Sequence, residues 1–266
     1  MTPATFGATE PLNVVSSRRR RDVENMRNAS FAKFLTNGTR FGTTGELSFF
    51  IRTRELSGLI ILMTDSKSNY IRVGIDEGVL IVFPTLNGQN SSVTINGTVS
   101  DGQWHFVEIQ GNMSRFDNLS LVTEPIADKD IKLTVTYIGG LDDFPLYPDA
   151  DLIRTPFRGC LQDIRLNNKL FDFELNDGSL ISIERYMLID HGGLGEGCKG
   201  MNVCRLAPCG EGGYCKDLWN KYECDCKPRY GGRDCALYGC SLVNLCPYNT
   251  TCLDVGENYE CKCLTK

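Results

Sequence analysis

The 266-residue chain carries 13 cysteines and 2 histidines. Thiols and imidazoles are the side chains best suited to nucleophilic, redox and metal chemistry, so their spacing decides which of these is open to the protein. No cysteine precedes Cys160, and 12 of the 13 lie between Cys198 and Cys263. Structural zinc asks for C-x₂₋₄-C knuckles, commonly with His ligands. The close pairs here are Cys224-x-Cys226 and Cys261-x-Cys263, and His105 and His191 both lie outside the block. A segment so short and so rich in cysteine cannot build a hydrophobic core from its other residues, and cross-links must supply its stability. The thiols therefore read as disulfides in an oxidising compartment.

Catalytic chemistry finds no support. A Ser–His–Asp set needs a histidine poised beside a nucleophile. His105 follows Trp104 in a strand-like run and His191 lies in a Gly-rich stretch, neither in an H-E-x-x-H frame. Gly192–Gly197 lacks the lysine of a phosphate-binding loop and reads as a hinge. The sequence is expected to belong to no enzyme and to take no small-molecule substrate. A net charge of −5 also has the wrong sign for a nucleic-acid partner.

Asn-x-Ser/Thr sequons occur at Asn28, Asn37, Asn90, Asn96, Asn112, Asn118 and Asn249. With the cysteines they point to the secretory pathway. Met1–Ser17 has neither a basic n-region nor an apolar h-region, and the longest apolar run, Leu59–Met63, is far short of a membrane span. The chain is thus expected to be a fragment, either from the extracellular side of a type I membrane protein or from a secreted one. Residues 1–27, with Arg18–Arg21, read as a disordered tail or linker.

The elements that must carry these groups are strands. Leu47, Phe49 and Ile51 alternate with polar neighbours, and Gly58–Met63 is continuously apolar, as expected of a strand buried on both sides. Residues 69–75 and 79–83 flank Asp76-Glu77-Gly78 and read as a hairpin. Further candidates are 104–110, 119–123, 131–138 and 159–166, the last followed by a turn at Asn167-Asn168. The expected fold is all-β, a two-sheet sandwich followed by small disulfide-rich modules.

From Cys204 the cysteine gaps run four, five, eight, one and eight, and from Cys240 five, five, eight and one. The near repetition implies tandem modules, 200–236 and 237–266, the second lacking a sixth cysteine. These gaps resemble EGF-like modules, as do Tyr222 before Cys224, Tyr259 before Cys261, and Tyr230-Gly231-Gly232 before Cys235. The resemblance implies pairing Cys204–Cys215, Cys209–Cys224, Cys226–Cys235, Cys240–Cys252 and Cys246–Cys261. It also implies that Thr251 fits an O-fucosylation frame. The acidic residues that calcium-binding EGF modules carry before their first cysteine are absent here.

Residues 28–198 resemble a laminin G-like domain, through Asp101-Gly-Gln-Trp-His105, Tyr137-Ile-Gly-Gly140 and Phe157-Arg-Gly-Cys-Leu-Gln-Asp-Ile-Arg-Leu-Asn167. The resemblance implies a Cys160–Cys198 bond. It also implies a candidate calcium site on the sandwich rim, where Asn69 stands in place of an acidic ligand and Asp130, or Asp128, supplies the carboxylate; Ca²⁺ is the one cofactor it raises. The runs Gly195-Glu-Gly-Cys198, Val203-Cys204, Asp217-Leu-Trp-Asn220 and Tyr222-Glu-Cys224, with the short Cys235-to-Cys240 linker, are similar to the Crumbs family of apical polarity proteins in the same module order. Slit, neurexins and Fat-type cadherins share it, and a secreted matrix or guidance protein is the alternative reading. The implied function is extracellular binding and adhesion, with protein or glycan partners and homophilic contact among the candidates. With four sequons between Asn90 and Asn118, the rim around Asn69, Asp130 and Asp142-Asp143 is expected to be free of sugar.

Overall fold

Alternating apolar residues become strands wherever a facing sheet can bury one side of them. The computed structural model describes residues 4–6, 30–65, 69–122, 125–141, 155–173, 184–198, 200, 202–239, 250–255 and 258–263. The chain divides into two compact units, Met1–Lys199 and Gly200–Lys266.

The strands of the first unit are β1 (Ala4–Phe6), β2 (Phe31–Leu35), β3 (Arg40–Phe41), β4 (Glu46–Arg52), β5 (Gly58–Thr64) and β6 (Tyr70–Asp76). They continue with β7 (Val79–Leu86), β8 (Gln89–Asn90), β9 (Val93–Thr98), β10 (His105–Gln110), β11 (Met113–Phe116) and β12 (Leu119–Val122). The last are β13 (Ile131–Lys132), β14 (Val135–Ile138), β15 (Gly159–Leu166), β16 (Lys169–Phe171), β17 (Arg185–Gly192) and β18 (Gly195–Glu196). One layer runs β12-β11-β10-β4-β15 and the other β2-β14-β5-β6-β7, with β16 and β17 carrying the hydrogen-bonded path between them. Leu47, Phe49 and Ile51 of β4, Val107 of β10 and Leu161 of β15 pack in one cluster with Phe34 of β2, Met63 of β5 and Val73 of β6. The architecture is a sandwich, as the period-two pattern implies.

Strand β5 is buried at every position. Its outward side is covered as well, because Leu59 and Leu62 join Tyr70, Phe83, Tyr137 and Leu141 in a second apolar cluster. The β6–β7 turn has positive φ at Glu77 (49°) and Gly78 (84°), the left-handed pair that matches the twist of a two-residue hairpin.

Three expectations are corrected. The run 131–138 is two strands, because the Leu133 and Thr134 N–H groups turn away to Thr39 O (2.7 Å) and Thr64 O (2.8 Å). Within the expected tail, Ala4–Phe6 is a strand: β16 pairs only with Arg165 and Leu166, and β1 takes the open edge at Gly159–Leu161. The expected hinge at 192–197 contains β18, whose Gly195 and Glu196 pair with Thr5 and Ala4. The rest of the tail, Arg18–Arg21 included, lies outside the described residues, as do Asn28 and Asn249.

In the second unit β19 (Gly213–Asp217) pairs with β20 (Tyr222–Cys226) around a turn whose Trp219 and Asn220 both have positive φ (57° and 58°). The structure joins Cys204 to Cys215, Cys209 to Cys224 and Cys226 to Cys235. A Cβ on Gly212 would lie 2.2 Å from the Cys235 carbonyl oxygen, so the third bridge closes tightly over that glycine. Strands β21 (Tyr230–Gly231) and β22 (Leu237–Tyr238) pair across the module boundary expected at 236, held by Tyr230–Tyr238 ring packing and Arg229 over Tyr238. Strands β23 (Thr250–Val255) and β24 (Asn258–Cys263) set Cys252 opposite Cys261; both are disulfide-bonded, and Cys240 and Cys246 lie outside the described residues.

Candidate functional site

At one end of the sandwich three turns converge on a cavity of about 460 Å³. Segment 131–134 builds its floor: Gly38 N–H bonds Leu133 O and Thr36 N–H bonds Thr134 O, each at 3.0 Å, fastening the β2–β3 turn to it. Asn69 and Asp130, the two candidate calcium ligands, both line this cavity, together with Asn37, Asp65, Asn87, Lys129 and Lys132. The fold thus brings together residues far apart in the chain.

The hydrogen bonding assigns each of the two a different task from metal ligation. Asn69 is buried, and its Nδ2 donates to Asp65 Oδ2 at 2.7 Å while its backbone N–H donates to Asp65 Oδ1 at 2.8 Å. Its Oδ1 accepts the Asn87 N–H at 2.7 Å, which ties the β5–β6 turn to the β7–β8 turn. Asp130 Oδ1 accepts the Thr43 hydroxyl (2.9 Å) and the Thr44 N–H (2.7 Å), and Oδ2 accepts the Thr44 hydroxyl. Burial opposes the charge of Asp130, but the bonds from Thr44 and Thr43 outweigh it and hold its pKa below the ordinary 3.8. Ca²⁺ requires several oxygens free to point at one centre, most of them carboxylate. An amide N–H aimed at Asp65 and an Asp130 already taking three donors do not fit that requirement. Among the described residues no cluster of three or more His, Cys, Asp or Glu side chains is placed to hold a metal.

Asp65, Asn87, Thr43 and Thr44 were not singled out from the sequence. Asp65 and Asn87 do carry a local signal, since each is an Asx residue at a strand end where its side chain can close a turn. Thr43 and Thr44 carry none.

The sequon side chains Asn37, Asn90, Asn96, Asn112 and Asn118 are all exposed, as is Thr251. Their distribution places a sequon on the rim that was expected to be free of sugar. Asn37 lines the cavity itself. Asn90 lies in the same hairpin as Asn87, and Asn112 follows Gly111, where an added Cβ would sit 2.9 Å from Thr43 O. The Asp142-Asp143 loop lies outside the described residues.

His105 sits at the N-terminal end of β10. Its Nδ1 and Nε2 lie 2.9 Å from Asp117 and Asp101 carboxylate oxygens respectively, and its ring stacks on Phe116. Burial opposes the imidazolium, yet the bonds and charges of the two carboxylates prevail and raise its pKa above 6.5. This histidine is a staple between turns. The other histidine, His191, is exposed on β17. Cys160 and Cys198 are joined, tying β15 to the end of the first unit.

Residues 51–169 match the family model of the laminin G domain. The fold is similar to that of laminin domains LG4-5 of the mouse laminin alpha1 chain (TM-score 0.51, 16% identity, 65% of this chain and 45% of that one). The LG1-3 region of the laminin alpha2 chain gives a TM-score of 0.50 at 18% identity, covering 67% of this chain and 35% of that one. The first unit therefore has a laminin G-like sandwich fold.

Among individual proteins, the chain is 28% identical to protein crumbs homolog 1 of Mus musculus over 240 residues (87% of this chain, 16% of that protein). It is 30% identical to mouse protein crumbs homolog 2 over 212 residues (78% and 15%). It is also similar to the rat cadherin EGF LAG seven-pass G-type receptor 3, at 26% identity over 255 residues (79% and 7%). The chain thus spans about a sixth of the length of the two crumbs relatives. No helix among the described residues is long and apolar enough to cross a membrane.

Proposed function

We propose that the chain is part of the ectodomain of a Crumbs-like apical membrane protein. In this reading the laminin G-like sandwich contacts other ectodomains or glycans, and the disulfide-rich unit acts as a short spacer. The observation that carries the reading is the likeness to crumbs homolog 1 over 240 residues, which takes in the sandwich and the cysteine-rich unit alike. A rigid sandwich acts through the loops at its ends and the faces of its sheets, so contact with a partner is its function. Beads coated with the chain secreted from glycosylating cells test this. Clustering, or capture of beads by cells expressing a Crumbs ectodomain, is the expected result. Beads that remain dispersed and bind no such cell would overturn the adhesive role.

A further inference from the structure

We propose that the rim cavity is the seat of the chain's own glycan on Asn37, which closes this rim to ions and partners. The inference rests on the extracellular reading, because the sugar is added only in the secretory pathway. Modification joins Asn37 Nδ2 to the anomeric carbon of a lipid-linked oligosaccharide. The donor's pyrophosphate leaves with the lipid, and the amide gives up one proton.

Asn37 heads the sequon Asn37-Gly38-Thr39, and its side chain is exposed while also lining the cavity. An attached sugar therefore starts at the mouth and needs no change in the fold to enter. Gly38, at φ +87°, makes the tight turn that presents Asn37 there. A cavity of about 460 Å³ lies in the range that holds small ligands. Its lining offers polar groups to an N-acetylhexosamine, since Asp65, Asn87, Lys129 and Lys132 all line it, while Ile131 and Leu133 are buried. Lys132 is close to the turn, its Cε 3.9 Å from where a Cβ on Gly38 would be.

Two physical arguments favour this occupant over a free ligand. The first is tethering. A sugar covalently held at the mouth has a millimolar effective concentration, so a weak seat is filled that a dissolved ligand would leave empty. The second is preorganisation. The Asn69–Asp65, Asn69–Asn87 and Asp130–Thr44 bonds hold the walls in place without a metal ion.

The test is lysine footprinting of the full chain secreted from glycosylating cells. Glycopeptide mass spectrometry first reads Asn37 occupancy, and acetylation rates are then measured at Lys129 and Lys132, with Lys169 on β16 as the internal reference. The expected result is occupied Asn37, with both lysines reacting several-fold faster in Asn37→Gln and unchanged in Asn112→Gln. Where Asn37→Gln is not secreted, enzymatic removal of the glycans from the folded protein gives the same comparison. An unoccupied Asn37, or occupied Asn37 with equal lysine rates, overturns the inference. So does release by Asn112→Gln. None of these readouts depends on bead clustering, so failure of the adhesive role is distinguishable from failure of the glycan seat.

Discussion

The two units solve the stability problem by opposite means. In the sandwich, Phe34, Phe41, Phe49, Phe157 and Phe171 are all fully buried, and the core draws on both layers. In the second unit the only buried hydrophobic side chains among the described residues are Cys209 and Cys235, themselves half of two disulfides. Burying a Leu, Ile or Phe side chain contributes about 1.5–3 kcal/mol, so the large core carries the sandwich and the Cys160–Cys198 bridge only adds to it. A module with almost no core depends on lowering the entropy of its unfolded chain, and bridges between residues 11, 15 and 9 apart do that locally.

Complete reduction should separate the units most sharply. Each bridge of the second unit contributes roughly 2–4 kcal/mol, so its structure should be lost. Trp219 reports that unit and Trp104 the sandwich, and the chain has 2 tryptophans in all. In single-tryptophan variants, Trp219 emission should become that of an unfolded chain, while Trp104 keeps a cooperative urea transition. Simultaneous loss of both signals would break the comparison.

The converse experiment empties the core. Phe34 is fully buried and packs edge-on against Phe171 and Phe173. Phe34→Ala should cost the sandwich about 3–5 kcal/mol, read as a lower urea midpoint for Trp104 with Trp219 unmoved.

A smaller effect is expected at the rim. Asp130→Ala removes the acceptor for Thr43 and Thr44, at about 1 kcal/mol once solvent screening is allowed for. Because the Asp130 pKa is lowered, this contribution is present above the unfolded value near 3.8 and fades as pH falls through the folded pKa. Millimolar calcium should shift the melting temperature of neither protein by more than about 2 °C, since only an ion bound to the native state stabilises it. A large calcium-dependent rise abolished by Asp130→Ala would restore a metal to the rim.

The smallest expected effect tests the His105 staple. Its pKa is raised, so its contribution is complete below the unfolded value of about 6.5 and is lost as pH rises through the folded pKa. Asp101 and Asp117 are 47% and 42% exposed, which limits the gain to about 1 kcal/mol or less. The stability gap between wild type and His105→Gln should narrow between pH 6 and pH 9, as read from urea midpoints. A gap that widens would mean the imidazole is held neutral.

Much of this was legible from local pattern. Strand β5 declares itself by an unbroken apolar run, the β6–β7 hairpin by Glu77-Gly78, and the cysteine-rich unit by its gaps. Strands β2 and β17 escaped notice because their alternation is imperfect: Leu35, Met187 and Ile189 stay exposed on the outward face. Strand β1 was invisible for another reason, since three residues acquire strand geometry only by meeting an open edge on β15.

The rim shows the limit most clearly. Asn112 and Asn118 are near in sequence, yet strand β11 lies between their turns and carries them to opposite ends of the sandwich. Asn37, Asn69 and Asp130 are remote in sequence and line one cavity. Periodicity and spacing are properties of a few consecutive residues, so they can be read along the chain. Shared ends depend on strand order, and strand order is set by how two whole layers bury their faces against each other. That is why the fold class and the cysteine frame could be written down from the residues, whereas the place of Asn37 beside Asn69 required the assembled sandwich.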